Sequence, residues 1–139
     1  METLLVVDDQ SVIRQCIVEL LKTSSQSHSI LEATNGKQAL KYCQQDYPSV
    51  VITDIFMPDM DGLELIQQLQ QQSIAPHIVV LMDAYLNLIQ KKHYCELCLL
   101  MGAKSVLDKE KMATHLLPLV ESLLKEKSQK YHHSDSKIS

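Results

Sequence analysis

The chain alternates short, unbroken apolar runs with longer stretches in which apolar positions recur every three or four residues. Leu4–Val7 is the first run, and it stops abruptly at Asp8-Asp9. An unbroken run suits a strand buried on both faces. Ser11 offers a helix cap, and Val12, Ile13, Cys16, Ile17, Leu20 and Leu21 then keep helical spacing. After the polar stretch Thr23 to Ser29, residues 30–33 predict a second strand. Asn35-Gly36 reads as a turn, and Ala39, Leu40 and Cys43 mark a second helix. Pro48 ends it, because a residue before proline disfavours helical angles. Val50 to Thr53 is the third strand and ends in Asp54. A loop from Pro58 to Gly62 leads to a third helix carrying Leu63, Leu65, Ile66 and Leu69 and finishing in the glutamine-rich stretch Gln67 to Gln72. Ile78 to Met82 predicts a fourth strand, ending in Asp83, and a long helical stretch then runs to Met101-Gly102. Lys104 to Leu107 is the fifth strand, followed by Asp108-Lys109. The last helix holds Leu116 to Leu124, with Thr114 as its expected cap and Pro118 in its first turn. Periodicity fades from about residue 128, so a domain over 1–127 and a tail or linker over 128–139 are expected.

Strands alternating with helices imply parallel strands and right-handed crossovers. The fold class is therefore α/β, a doubly wound, five-stranded parallel sheet with five helices. The length of 139 residues fits one such domain, which needs no disulfide or metal to fold. A net charge of -4 argues against direct nucleic-acid binding. No apolar run is long enough for a membrane span. Cys16, Cys43, Cys95 and Cys98 follow no secretory signal, since Met1-Glu2-Thr3 runs straight into the first strand. Free thiols in a reducing cytoplasm are the expectation.

In open α/β sheets the functional site lies at the carboxyl ends of the strands, near the topological switch point. Here strands one, three and four end in Asp8-Asp9, Asp54 and Asp83, and strand five ends in Lys109. A single aspartate at a strand end is ordinarily a cap or turn residue. The set is harder to dismiss, because it converges on one edge. Crowded carboxylates repel, and a hard divalent cation relieves them; Mg2+ fits, since it takes a few carboxylates and keeps waters. A carboxylate beside Mg2+ and a lysine is equipped to attack a phosphoryl group.

These residues, with Asn35-Gly36, the segment Asp54-Ile55-Phe56-Met57-Pro58-Asp59-Met60-Asp61-Gly62, and Gly102-Ala103 ahead of Lys109, resemble the receiver domain of two-component response regulators. The resemblance covers about residues 3 to 125. It implies a flavodoxin-like sheet in the order 2-1-3-4-5. It implies that Asp54 is the phosphoacceptor, served by a histidine kinase or phosphotransfer protein. It implies Mg2+ bound by Asp9 directly, by Asp8 through water, by Asp54 and by the backbone carbonyl of Phe56. Lys109 would pair with the phosphoryl oxygens. The module would not be an enzyme in its own right. It would be cytoplasmic, a monomer or weak homodimer, signalling to a downstream protein through helix four, strand five and helix five.

Three positions depart from the family. The hydroxyl residue expected at the end of strand four is Asp83, the aromatic of strand five is Val106, and the proline after the lysine is Glu110. An ionised carboxylate has no proton to donate to a phosphoryl group and repels it. Asp83 is free to pair with Lys109, to hold a metal-bound water or to turn away. The stretch from Asp83 to Gly102 is also about one helical turn longer than is common. A second reading follows, a degenerate receiver that acts as a protein-interaction module without phosphorylation. A dehalogenase-like phosphatase would need a second acid where Phe56 stands, and no glycine fingerprint for a nicotinamide cofactor follows the first strand. Cys95, Cys98 and Leu99 form an i, i+3, i+4 strip that favours packing over metal binding, and Lys91-Lys92 reads as a solvated face. His132-His133 lies in the tail and suggests at most adventitious metal binding.

Overall fold

The structure is a computed structural model that describes the backbone of residues 2–138 and the side chains of residues 2–126. The side chains of the expected tail over 128–139, His132-His133 among them, lie outside the described residues, while its backbone as far as Ile138 continues the last helix. Five strands, β1 (Glu2–Val7), β2 (His28–Ala33), β3 (Val50–Asp54), β4 (His77–Met82) and β5 (Ser105–Asp108), form one parallel sheet in the order β2-β1-β3-β4-β5. Between them run α1 (Ser11–Leu21), α2 (Gly36–Asp46), α3 (Gly62–Gln70) and α4 (Leu88–Met101). A single 3-10 turn, Lys109–Lys111, leads into α5 (Met112–Ile138). The fold class and strand order are those expected.

Strand side chains alternate between two separate cores, as the period of two requires. Leu4, Val6, Val50, Ile52, Val79 and Leu81 meet α1 and α5 on one face through Ile17, Leu21, Leu116 and Val120. Leu5, Val7, Val51, Ile78, Val80 and Met82 meet α2, α3 and α4 on the other through Ala39, Cys43, Leu65, Ile66, Leu69 and Cys98. β3 lies in the middle and is buried at all five positions, whereas β5, at the edge, is only half-buried throughout. Register aligns Val7 with Thr53, Asp54 with Leu81, and Met82 with Asp108. The carboxyl ends of β1, β3, β4 and β5 therefore stop along one edge.

Local chemistry differs from the sequence expectation at three helix starts. Ser11 is the first residue of α1 and Gln10 holds the cap position, with no side-chain cap bond. Asn35 caps α2 instead of forming a free turn: its side chain accepts the Gln38 N–H at 2.8 Å. Thr114 does not cap α5, because the 3-10 turn after β5 runs directly into a helix that begins at Met112. Pro118 consequently sits inside α5, past its first turn, where the missing N–H leaves the Thr114 carbonyl without its helical donor. No helix among the described residues is long and apolar enough to cross a membrane.

Candidate functional site

The site is assembled from the residues that terminate four strands. Asp8 follows β1 and is fully buried, while the neighbouring Asp9 is exposed. The Asp8 Oδ1 accepts the Gln10 N–H at 2.9 Å, a bond that turns the chain out of the strand into α1. Its backbone carbonyl accepts from Arg14 at 2.8 Å, and Arg14 is held in turn by Glu32 at 3.1 Å. Asp54, the last residue of β3, is 5% exposed. Its Oδ1 accepts the Ile55 N–H at 2.8 Å and its Oδ2 lies 3.2 Å from the Lys109 ammonium.

Carboxylate oxygens of Asp8, Asp9 and Asp54 all come within 4.8 Å of one another. The Asp8 Oδ2 is buried with no hydrogen-bond partner and is 3.8 Å from the Lys109 ammonium. A buried carboxylate oxygen left unpaired is costly. A divalent cation held between Asp8, Asp9 and Asp54 would satisfy it, and an all-oxygen donor set suits Mg2+. Phe56, whose carbonyl was expected to join that set, lies two residues past Asp54, with its ring edge-on to Tyr94 of α4 at 5.2 Å between centroids.

The electrostatics follow from burial. Burial pushes the Asp54 carboxyl up to about 6, opposed by the Lys109 charge and reinforced by Asp83 and Asp8. Burial also raises Asp8, against the Gln10 N–H and Lys109, which lower it. For Lys109, burial favours the neutral amine, but the hydrogen bond to Asp83 and the charges of Asp54 and Asp8 outweigh it and raise its pKa. The lysine therefore stays an ammonium shared by three carboxylates.

The nearest of the three is Asp83, at 2.7 Å. Of the arrangements open to it from the sequence, pairing with Lys109 is the one found. Val106 lies half-buried on β5 and packs against the α2–α4 core, and Glu110 follows Lys109 in the 3-10 turn with no cis peptide among the described residues. Gly62 brings α3 against this edge: its N–H donates to the Ile55 carbonyl at 2.6 Å, and a Cβ there would stand 2.5 Å from the Asp54 carbonyl oxygen. Any larger residue would push the loop after Asp54 out of place.

Other expectations fared differently. Lys91 is not simply solvated: its ammonium pairs with Asp108 at 3.5 Å, tying α4 to the end of β5, while Lys92 is exposed. Cys98 is buried and Cys95 half-buried, as packing requires, but Leu99 is 46% exposed and leaves the strip. Burial lifts the Cys98 thiol to about 11, which makes it a poor ligand or nucleophile. Arg14 and Gln10, which order Asp8, were not foreseen. The Gln10 bond has a local signature, an Asp accepting from the N–H two residues on, but the Arg14 link depends on how α1 lies against β2.

Residues 4–121 match the family model for the response regulator receiver domain. A histidine kinase from Formosa agariphila is 43% identical over 90 residues, 64% of this chain and 6% of that protein. The transcriptional regulatory protein YdfI of Bacillus subtilis is 36% identical over 80 residues, 58% of this chain and 38% of that protein. The chain thus spans well under half of these curated relatives. Among solved structures, a response regulator receiver domain protein from Clostridium thermocellum superposes with a TM-score of 0.81 at 23% identity, covering 93% of this chain and 98% of that one. A CheY-like receiver domain protein from Methanospirillum hungatei gives 0.79 at 20% identity, over 94% and 98%. The match of the family model over most of the chain, on a fold whose strand ends gather these acids and this lysine, means that the protein belongs to the response regulator receiver domain family of two-component systems.

Proposed function

We propose that this receiver accepts a phosphoryl group on Asp54 from a histidine kinase or phosphotransfer protein, with Mg2+ held by Asp8, Asp9, Asp54 and the Phe56 carbonyl. The observation that carries the reading is the buried Asp54 carboxylate, 3.2 Å from Lys109 and within 4.8 Å of two further acids, one with an unpaired buried oxygen. Receiver domains typically bind Mg2+ at such an acidic pocket and receive their signal from histidine kinases or phosphotransfer proteins.

An Asp54 carboxylate oxygen forms the new O–P bond while the donor's P–N bond breaks, and that electron pair stays on the donor imidazole nitrogen, which takes up a proton. Asp54 must be ionised to do this, and at a pKa of about 6 it is so at neutral pH. Lys109 faces the phosphoryl oxygens and offsets the negative charge that builds on them. The metal, when bound, supplies further charge neutralisation. Asp8 and Asp9 hold it, and Gln10 and Arg14 keep Asp8 in place. Output is by contact with a downstream protein through α4, β5 and α5, in the cytoplasm, from a monomer or weak homodimer, with residues 1–127 as the working unit.

Intact-mass analysis after incubation with Mg2+ and acetyl phosphate tests this. A phosphoryl adduct that disappears in Asp54→Asn is the expected result. The second reading, an interaction module independent of phosphorylation, is favoured by one observation: Lys109 sits closer to Asp83 than to Asp54, 2.7 against 3.2 Å. Loss of both the adduct and Mg2+ binding would establish that reading and overturn the first.

A further inference from the structure

Lys109 is the only ammonium within 4 Å of the acidic cluster among the described residues, and it is divided between Asp83, Asp54 and Asp8 at 2.7, 3.2 and 3.8 Å. The shortest contact goes to the residue at the position where a hydroxyl would ordinarily stand. We propose that Asp83 is a tethered competitor for Lys109, a positioning residue that latches the segment ahead of α4 in the resting protein and is expelled when a phosphoryl group on Asp54 takes the lysine. This rests on the phosphoacceptor reading of Asp54.

The segment from Asp83 to Asn87 connects β4 to α4 and has few anchors. Ala84, Tyr85 and Asn87 are exposed, and Leu86 is the single buried side chain. The Leu86 N–H reaches the Asp83 carbonyl only at 3.4 Å. Apart from the Asn87–Gln90 capping box, which joins it to α4 itself, the segment is thus pinned to the domain by one apolar side chain and by the Asp83–Lys109 ion pair. That ion pair is half-buried, with side chains 17% and 13% exposed, so it is stronger than a surface pair yet has a short path to water.

Phosphorylation replaces a singly charged carboxylate by a group of nearly twice its charge, carrying three strong acceptor oxygens. Lys109 is already shared between Asp54 and Asp83, and the more highly charged phosphoryl group draws the ammonium away from the singly charged Asp83. The Asp83 carboxylate, deprived of its cation and facing a dianion, is repelled and gains hydration by swinging outward. A hydroxyl at this position would be drawn towards the phosphoryl group as a donor, whereas a carboxylate moves the other way. The motion passes to Tyr85, ahead of α4, and to Leu88 and Ile89 at its start, all at least 74% exposed. The Lys91–Asp108 pair, at 3.5 Å, keeps α4 tied to β5 while the segment before it is released.

Amide hydrogen exchange of residues 84–88, read by mass spectrometry, tests the direction of movement. In the wild-type chain, acetyl phosphate and Mg2+ should speed exchange there about fivefold or more. In Asp83→Thr the same treatment should leave exchange unchanged or slow it. Slowing in the wild-type chain with the adduct present would overturn the proposal. A denaturation cycle of Asp83→Asn, Lys109→Met and the double variant tests the latch without any phosphodonor. The two substitutions should depart from additivity by about fivefold or more in the unfolding constant. Additive effects would overturn the latch even if Asp54 is phosphorylated. Non-additive effects with no adduct on the wild-type chain would uphold the latch and overturn the phosphoacceptor reading instead.

Discussion

α3 and α4 pack on the same face of the sheet, but they are held there by different means. α3, nine residues long, buries Leu65, Ile66 and Leu69 completely and sets Gly62 against the backbone of Asp54. α4, fourteen residues long, buries only Cys98, and leaves Leu88, Ile89, Leu99 and Leu100 exposed. The rest is held by half-buried Tyr94, Cys95 and Met101, by the edge-on contact of Tyr94 with Phe56, and by one polar tie to the sheet, the Lys91–Asp108 pair. Apolar burial is additive and insensitive to charge, whereas ion pairs respond to any new charge nearby. The side of the molecule that carries Asp54 is therefore built to stay still, and the side that follows Asp83 is built to respond.

The sharpest way to break this contrast is to truncate one apolar residue on each helix. Ile66→Ala removes a side chain with no exposure from the core and should cost about 2–5 kcal/mol in urea denaturation. Leu100→Ala, at a position 85% exposed, should change stability by less than about 0.5 kcal/mol. Comparable losses at the two sites would mean that α4 is packed in solution against something that α3 is not.

A smaller effect comes from the charge buried beside α3. The folded pKa of Asp54, about 6, lies above its ordinary value of 3.8 because burial disfavours the carboxylate. The folded protein thus holds a proton that the unfolded chain has already released between those two values. Stability falls as pH rises through that window, and the full cost is in place above it. In the presence of a chelator, Asp54→Asn should stabilise the protein by about 2 kcal/mol near pH 8 and by almost nothing near pH 4. Chemical denaturation across that range checks it. A gain that grew towards acid pH would mean that Lys109 more than compensates for burial. Added Mg2+ should shrink the gain at pH 8, by stabilising the wild-type carboxylates.

The same contrast explains what was legible in the sequence. The buried strands were plain, because two covered faces leave unbroken apolar runs such as Val50–Thr53. The convergence of Asp8, Asp9, Asp54, Asp83 and Lys109 followed from topology, since parallel strands all end on one edge. What the sequence did not reveal lay where contacts are long-range and polar. That Asp83 would pair with Lys109 rather than turn away depends on the register of β4 and β5. That Lys91 would reach Asp108 depends on how α4 lies over the sheet. Helix starts were misplaced at Thr114 and Ser11 because cap residues carry only local preferences, which the turn at Lys109–Lys111 and the bond from Gln10 to Asp8 override.

The smallest expected effect separates global from local stability on α4. The Lys91–Asp108 pair is 3.5 Å long, with side chains 21% and 30% exposed. Pairs of this kind contribute between nothing and about 1 kcal/mol, so Lys91→Met should barely move the unfolding midpoint. Its local consequence should be larger than its global one, because α4 has a single fully buried side chain to hold it once the tie is cut. Hydrogen exchange over residues 88–101 should rise in Lys91→Met, while exchange over residues 62–70 of α3 stays as it was. Equal changes in both helices would show that α4 unfolds only with the whole domain, and that its exposed apolar surface rests on a frame as rigid as the one beneath Asp54.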